Sequence, residues 1–209
     1  MAEPAPQPVS PYFKPMTLAL AGVGLALTAL LTLTFAQLPT EYSMWNASVI
    51  GALALFAAGR LGFWPGVGVT ALAIALKDLC LYFTAAWWQP YPLSWVYFTG
   101  YVVMGWAFLR RSESISRVVT VALGSGLLFF FASNFVSWLE KALPHYEHSF
   151  AGLVDCYVSA IPFYRGTFVG DVAFSVAFFS AHVVLSRVYF PAERVNAAPE
   201  QVGATENNW

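Results

Sequence analysis

The sequence predicts an all-α membrane protein: a six-transmembrane-helix bundle with an outer interfacial or re-entrant segment and both termini cytoplasmic. Three observations predict it. Of the 209 residues, 58% are hydrophobic and only 10% are charged, whereas an ordinary soluble domain carries about 25% charged residues. Six apolar stretches, 16–38, 47–64, 66–86, 94–110, 117–139 and 167–189, approach the length of roughly 17–25 residues that a membrane helix needs. The cations alternate between the two sides of that pattern in a strongly unequal way. Mean hydropathy is +0.62, and a net charge of −1 offers no basic face for nucleic acid.

Taken in order, residues 1–15 form a flexible, proline-rich arm with Lys14 as its one basic residue. The apolar run from Met16 to Leu38 is long enough to span and lacks a small-residue cleavage site, so it reads as a retained first helix. The second and third helices meet at Gly59-Arg60-Leu61-Gly62-Phe63-Trp64-Pro65-Gly66, whose breakers predict a tight turn at the membrane edge. The fourth and fifth are separated by Arg110, Arg111 and Arg117. Residues 140–166 are too apolar for a solvated loop and are broken by Pro162, which predicts a lid lying over the outer mouth. The sixth helix closes a transmembrane domain of residues 16–190, and the small, polar residues 191–209 predict a disordered tail.

Orientation follows from the cations. With the N-terminus inside, Lys14, Arg60, Arg110, Arg111, Arg117, Arg187 and Arg194 are cytoplasmic, Lys141 and Arg165 are outside, and Lys77 lies within a span. That is a positive-inside distribution.

Against this frame the buried polar residues stand out. A charged group at a helix centre costs roughly 2.5–3.5 kcal/mol on insertion scales, so such groups mark a cavity, a partner or a pathway. Asp78 lies roughly 12 Å below the outer end of the third helix, and Asn134 and Asp171 each lie about one turn from the outer surface. They are candidate ligand contacts; equally, Lys77 pairing with Asp171, or Asp78 with another partner, would make a structural clamp. Asp171, Ser175, Phe178 and His182 share one helical stripe, which leaves a proton relay as a further alternative. Trp87, Trp88 and Trp138 offer stacking surface for a flat ligand, though Trp at an interface also serves as an anchor. In the outer segment Asp155, Tyr157 and Arg165 are lid candidates, with solvation or salt bridging as the plainer role.

Enzyme chemistry finds no motif. Cys80 and Cys156 make neither a disulfide framework nor a metal motif, and His145 with His148 reads as an exposed polar loop rather than a metal site. No cofactor and no metal are expected. Asn46-Ala47-Ser48 matches the short glycosylation sequon. Gly22 and Ala26 on the first helix, with Ala19 and Gly24, and Gly51, Ala54 and Ala58 on the second, form small-residue faces for packing or for docking another membrane subunit.

Asn46, Gly51-Ala52-Leu53-Ala54-Leu55-Phe56, Lys77-Asp78, Phe129-Phe130-Phe131-Ala132-Ser133-Asn134-Phe135-Val136-Ser137-Trp138, and Ile161-Pro162-Phe163 before Gly170-Asp171 carry a resemblance. Over about residues 45–185 the chain resembles a bacterial family of uncharacterised six-helix membrane proteins. That family is in turn similar to the substrate-binding (S) components of energy-coupling-factor transporters. The resemblance implies a non-enzymatic subunit of the bacterial inner membrane that captures a vitamin-like small molecule at its outer face. It implies a transmembrane coupling subunit with cytoplasmic ATPases as partners, docked at Gly22 and Ala26, alongside membrane lipid. Two other readings stand beside it: a structural or assembly membrane protein without a ligand, and an autonomous secondary transporter.

Overall fold

A computed structural model describes residues 14–37, 48–85, 89–140 and 146–195. These residues are all-α: α1 Pro15–Gln37, α2 Ile50–Leu61, α3 Phe63–Thr84, α4 Leu93–Phe108, α5 Ile115–Leu139 and α6 Phe150–Val188, then a 3₁₀ turn at Pro191–Glu193. Four of the six helices, α1, α3, α5 and α6, are long and apolar enough to cross a membrane.

The shortest helix is the centre of the molecule. Every residue of α2 from Ile50 to Arg60 is buried, and α2 packs against all five other helices. A helix that is apolar on all faces has no surface suited to solvent, so it is enclosed. Its Gly and Ala residues let the neighbours approach to backbone contact: a Cβ on Gly105 of α4 would lie 2.8 Å from Leu55 Cα, and one on Gly66 of α3 would lie 2.7 Å from Ala58 Cα. The small-residue reading of Gly51, Ala54 and Ala58 is therefore a packing face within the bundle. The expected second span, 47–64, is described as a helix of only 12 residues, roughly 18 Å long. The predicted turn narrows to the single residue Gly62, whose φ of 107° favours glycine. Pro65 falls in the first turn of α3, where its missing N–H leaves no helical bond unmade.

Residues 150–166 differ from expectation. They are neither a separate lid nor a re-entrant segment but the first part of α6, which runs unbroken through Pro162 for 39 residues. Such a helix is roughly 58 Å long, almost twice the hydrocarbon core of a bilayer at about 30 Å. Contacts with α5 on both sides of the proline explain its continuity. Tyr157 and Tyr164, one heptad apart on the face opposite the exposed Pro162, hold Phe130 at ring distances of 5.8 and 5.1 Å. The Tyr157 hydroxyl also donates to Phe131 O at 2.9 Å. Ser149 caps the start, accepting from Gly152 N.

The helices alternate in direction, which gathers one terminus of each at a single basic end. There Arg60, 4% exposed, donates from Nη1 to Leu109 O at 2.7 Å and from Nη2 to Ser112 O at 2.8 Å. Its guanidinium lies 4.5 Å from the centre of the Phe179 ring. Lys14 Nζ donates to Arg60 O; burial lowers its pKa, opposed by Glu193. Arg187 pairs with Glu113 at 2.9 Å. The tail expected to be disordered from residue 191 begins instead with an ordered turn. Buried Glu193 accepts from Met16 N, Thr17 N and Thr17 Oγ1 at 2.8, 2.9 and 2.6 Å. A carboxylate there satisfies N–H groups that the first turn of α1 cannot bond internally.

Candidate functional site

Away from the basic end, a cavity of about 160 Å³ lies between α5 and α6. Phe129, Phe130, Ser133 and Asn134 line it from α5, and Ala160, Phe163, Tyr164 and Thr167 from α6. Three of these eight residues are phenylalanines, and four carry a hydroxyl or an amide. A dry cavity of about 150 Å³ holds benzene, so the space suits a single ring. Asn134 donates its side-chain Nδ2 to Phe130 O at 2.8 Å, and its main-chain carbonyl accepts a weak bond from the Cys156 thiol at 3.5 Å.

One turn deeper on α6 than Thr167 lies Asp171, 4% exposed. Tyr101 of α4 donates its hydroxyl proton to Oδ2 at 2.6 Å. The carboxylate fits there because two facing positions lack side chains. A Cβ on Gly51 of α2 would collide with Oδ1, and one on Gly126 of α5 would stand 3.1 Å from Oδ2. Asp171 is thus the point where α2, α4, α5 and α6 meet. The same Gly126 position is 3.6 Å from the Tyr164 hydroxyl and 3.7 Å from Thr167 Cγ2, both cavity-lining residues.

The stripe read on α6 is present: Asp171, Ser175, Phe178 and His182 are all buried. Ser175 Oγ and His182 Nδ1 have no hydrogen-bond partner among the described residues. Between them Phe178 and Phe179 pack on Phe56 of α2 at ring distances of 5.5 and 5.4 Å.

The helical geometry accounts for where the remaining expected residues fall. Asp78 does not line this cavity; it sits on α3, which packs on α1, α2 and α4, with Oδ1 3.0 Å from Lys77 Nζ. That pair joins adjacent residues, and neither ion pair among the described residues includes Asp171. Trp138 is also outside the lining; its Nε1 donates to Glu147 O at 2.9 Å, tying the end of α5 to the approach to α6. Tyr157 packs on α5 as described above, whereas Asp155 and Arg165 are exposed on α6. Trp87 and Trp88, Asn46 of the sequon and His145 lie outside the described residues. Gly22 and Ala26 are exposed on α1, and nothing stands within 4 Å of a Cβ on Gly22. The sequence did not single out Tyr101, Tyr164, Thr167, Ser133 or Gly126 for this site. A polar residue within a span was the available signal for Tyr101.

A family model, described as a family of unknown function, DUF6580, matches residues 12–196. The chain belongs to this family. The resemblance to an uncharacterised family is therefore shown for nearly the whole chain, and its described residues are all-helical. No curated protein matches the chain. No solved structure matches it either.

Proposed function

We propose that this DUF6580 protein is a membrane-embedded capture subunit for uptake of a small, vitamin-like molecule held between α5 and α6. The observation that carries the reading is the cavity, with its phenylalanine walls, the polar groups of Asn134, Ser133, Tyr164 and Thr167, and Asp171 close by. Apolar pockets with a few convergent polar groups are the usual form of small-molecule sites. In this reading the bundle lies in the bacterial inner membrane with six crossings, and its basic end faces the cytoplasm. The gathering of Lys14, Arg60, Arg187 and Arg194 at one end supports that orientation through the positive-inside tendency. The cavity then opens toward the outer side, and the start of α6 rises beside its mouth.

The resemblance to S components read in the sequence would assign the energy supply to a transmembrane coupling subunit and cytoplasmic ATPases. The exposed Gly22 and Ala26 give such a partner a smooth face on α1. The protein performs no covalent chemistry in this scheme. An autonomous proton-coupled route from Asp171 to His182 is disfavoured by the phenylalanine packing between them.

A structural role without ligand is the second reading. The Asp171–Tyr101 bond, seated against two glycines, favours it, because this contact locks four helices whether or not anything binds. Thermal unfolding of purified protein against a panel of single-ring vitamins and related molecules separates the two. Capture predicts that at least one compound raises the midpoint of the wild type and fails to do so for Asn134→Ala. Stabilisation by none of them, with uptake in cells unchanged by Asn134→Ala, would leave the structural reading.

A further inference from the structure

Resting on the capture reading, we infer that the α5–α6 site takes an uncharged ring presenting a hydrogen-bond acceptor to the hydroxyls of Tyr164 and Thr167. A carbonyl or a ring nitrogen is the acceptor. The argument begins with how the threonines of this chain use their hydroxyls. Seven of those described donate to the carbonyl four residues back in their helix, and Thr17 donates to Glu193. Thr167 is the exception: its hydroxyl has no partner among the described residues, and the residue lines the cavity. Three residues earlier on α6, the Tyr164 hydroxyl also has no hydrogen-bond partner among the described residues. Ser175 Oγ, farther along α6, is unpartnered and sealed in, whereas the Tyr164 and Thr167 oxygens are unpartnered and open.

The two hydroxyls belong to one end of the cavity. The place a Cβ on Gly126 would occupy is 3.6 Å from the Tyr164 hydroxyl and 3.7 Å from Thr167 Cγ2, so both side chains converge on the same point of α5. The polar groups of α5 are engaged differently. Ser133 Oγ and Asn134 Nδ2 both donate to Phe130 O, at 3.4 and 2.8 Å. The unengaged hydroxyls are those of α6, and a carbonyl oxygen has two lone pairs with which to accept from both. Charge is selected by the same walls. None of the eight lining side chains is charged. An ion moved here from water would lose its hydration and meet no opposite charge in the lining, which costs far more than desolvating a neutral ring. Asp171 does not alter this, since it lies outside the lining and its carboxyl group is bonded to Tyr101.

The probes are benzamide, benzoate and benzamidinium, which share a ring and nearly one shape and differ in charge. Binding is measured by ligand-observed NMR titration of the full-length protein in nanodiscs, with empty nanodiscs subtracted. Benzamide is expected to bind about tenfold or more tighter than either ion, a ranking that needs no variant to fold. Tyr164→Phe and Thr167→Val each remove one hydroxyl and should each weaken benzamide by about three- to tenfold, the size of one hydrogen bond. Both variants should unfold close to the wild-type temperature, because neither hydroxyl bonds a described residue. Benzamide affinity unchanged in both variants overturns the acceptor assignment. An ion that binds as tightly as benzamide overturns the uncharged one, and capture stands in either case. If none of the three binds while the vitamin panel yields an Asn134-dependent ligand, that ligand decides. An uncharged one weakened by Tyr164→Phe or Thr167→Val supports the inference, and an ionic or insensitive one overturns it alone. If no compound binds in either experiment, both readings fall.

Discussion

Adding one methyl group at Gly51 tests the four-helix junction. The new Cβ would collide with Asp171 Oδ1 and lie 2.7 Å from Tyr101 Cε1, so at least one of the two residues must move. They are bonded to each other at 2.6 Å, which makes moving either one costly. Overpacking a close-packed site costs about 1–3 kcal/mol. Losing the buried hydrogen bond adds about 1–3 kcal/mol. Alanine returns about 1 kcal/mol over glycine in helix propensity. The net expectation for Gly51→Ala is a loss of about 2 kcal/mol or more, read from reversible SDS-induced unfolding in mixed micelles. In an Asp171→Ala background the same substitution meets only the Tyr101 ring, now free to turn, and its cost should fall to about 1 kcal/mol or less. Equal costs in the two backgrounds would refute the reasoning, since α2 and α6 would then not meet at Asp171.

Three further outcomes follow from the same geometry. Glu193→Ala should cost about 1–2 kcal/mol, the size of a lost helix cap, and hydrogen exchange at Met16 and Thr17 should quicken while α5 stays protected. Arg60→Lys should cost about 2 kcal/mol in the SDS assay, because an ammonium cannot bridge Leu109 O and Ser112 O with the planar fork of a guanidinium. Asn134→Ala should cost less than about 1 kcal/mol, since among the described residues its amide bonds a carbonyl of its own helix, yet it should abolish ligand-induced stabilisation.

Much of the frame was legible in the chain. A long apolar run has one plausible fate in a bilayer, so α1 falls within one residue of its expected bounds at each end. Asp171 was legible because a carboxylate in such a run is conspicuous, and its helical spacing to Ser175, Phe178 and His182 placed the stripe on one face. The order of helices around the bundle is not written in periodicity, so Asp78 and Asn134 were grouped by depth although they sit on helices that face different neighbours. Pro162 shows a local rule overridden by tertiary contact, with Tyr157 and Tyr164 holding α6 straight against α5. Glu193 gave no local signal at all: its partner lies 177 residues away, and nothing in a small polar tail points there. The central position of α2 carried a readable sign, since a helix apolar on every face must be enclosed.

The central claim is that the α5–α6 cavity is a ligand site open to the outer side. Ser133 lines it and a cysteine there reports on it directly. In a background with Cys80→Ala and Cys156→Ala, Ser133→Cys is treated in intact cells with a membrane-impermeant maleimide, with and without a compound that stabilises the wild type. The account predicts modification from outside and marked slowing by the compound. Labelling that requires permeabilised cells, or that proceeds at the same rate with the compound bound, would contradict it.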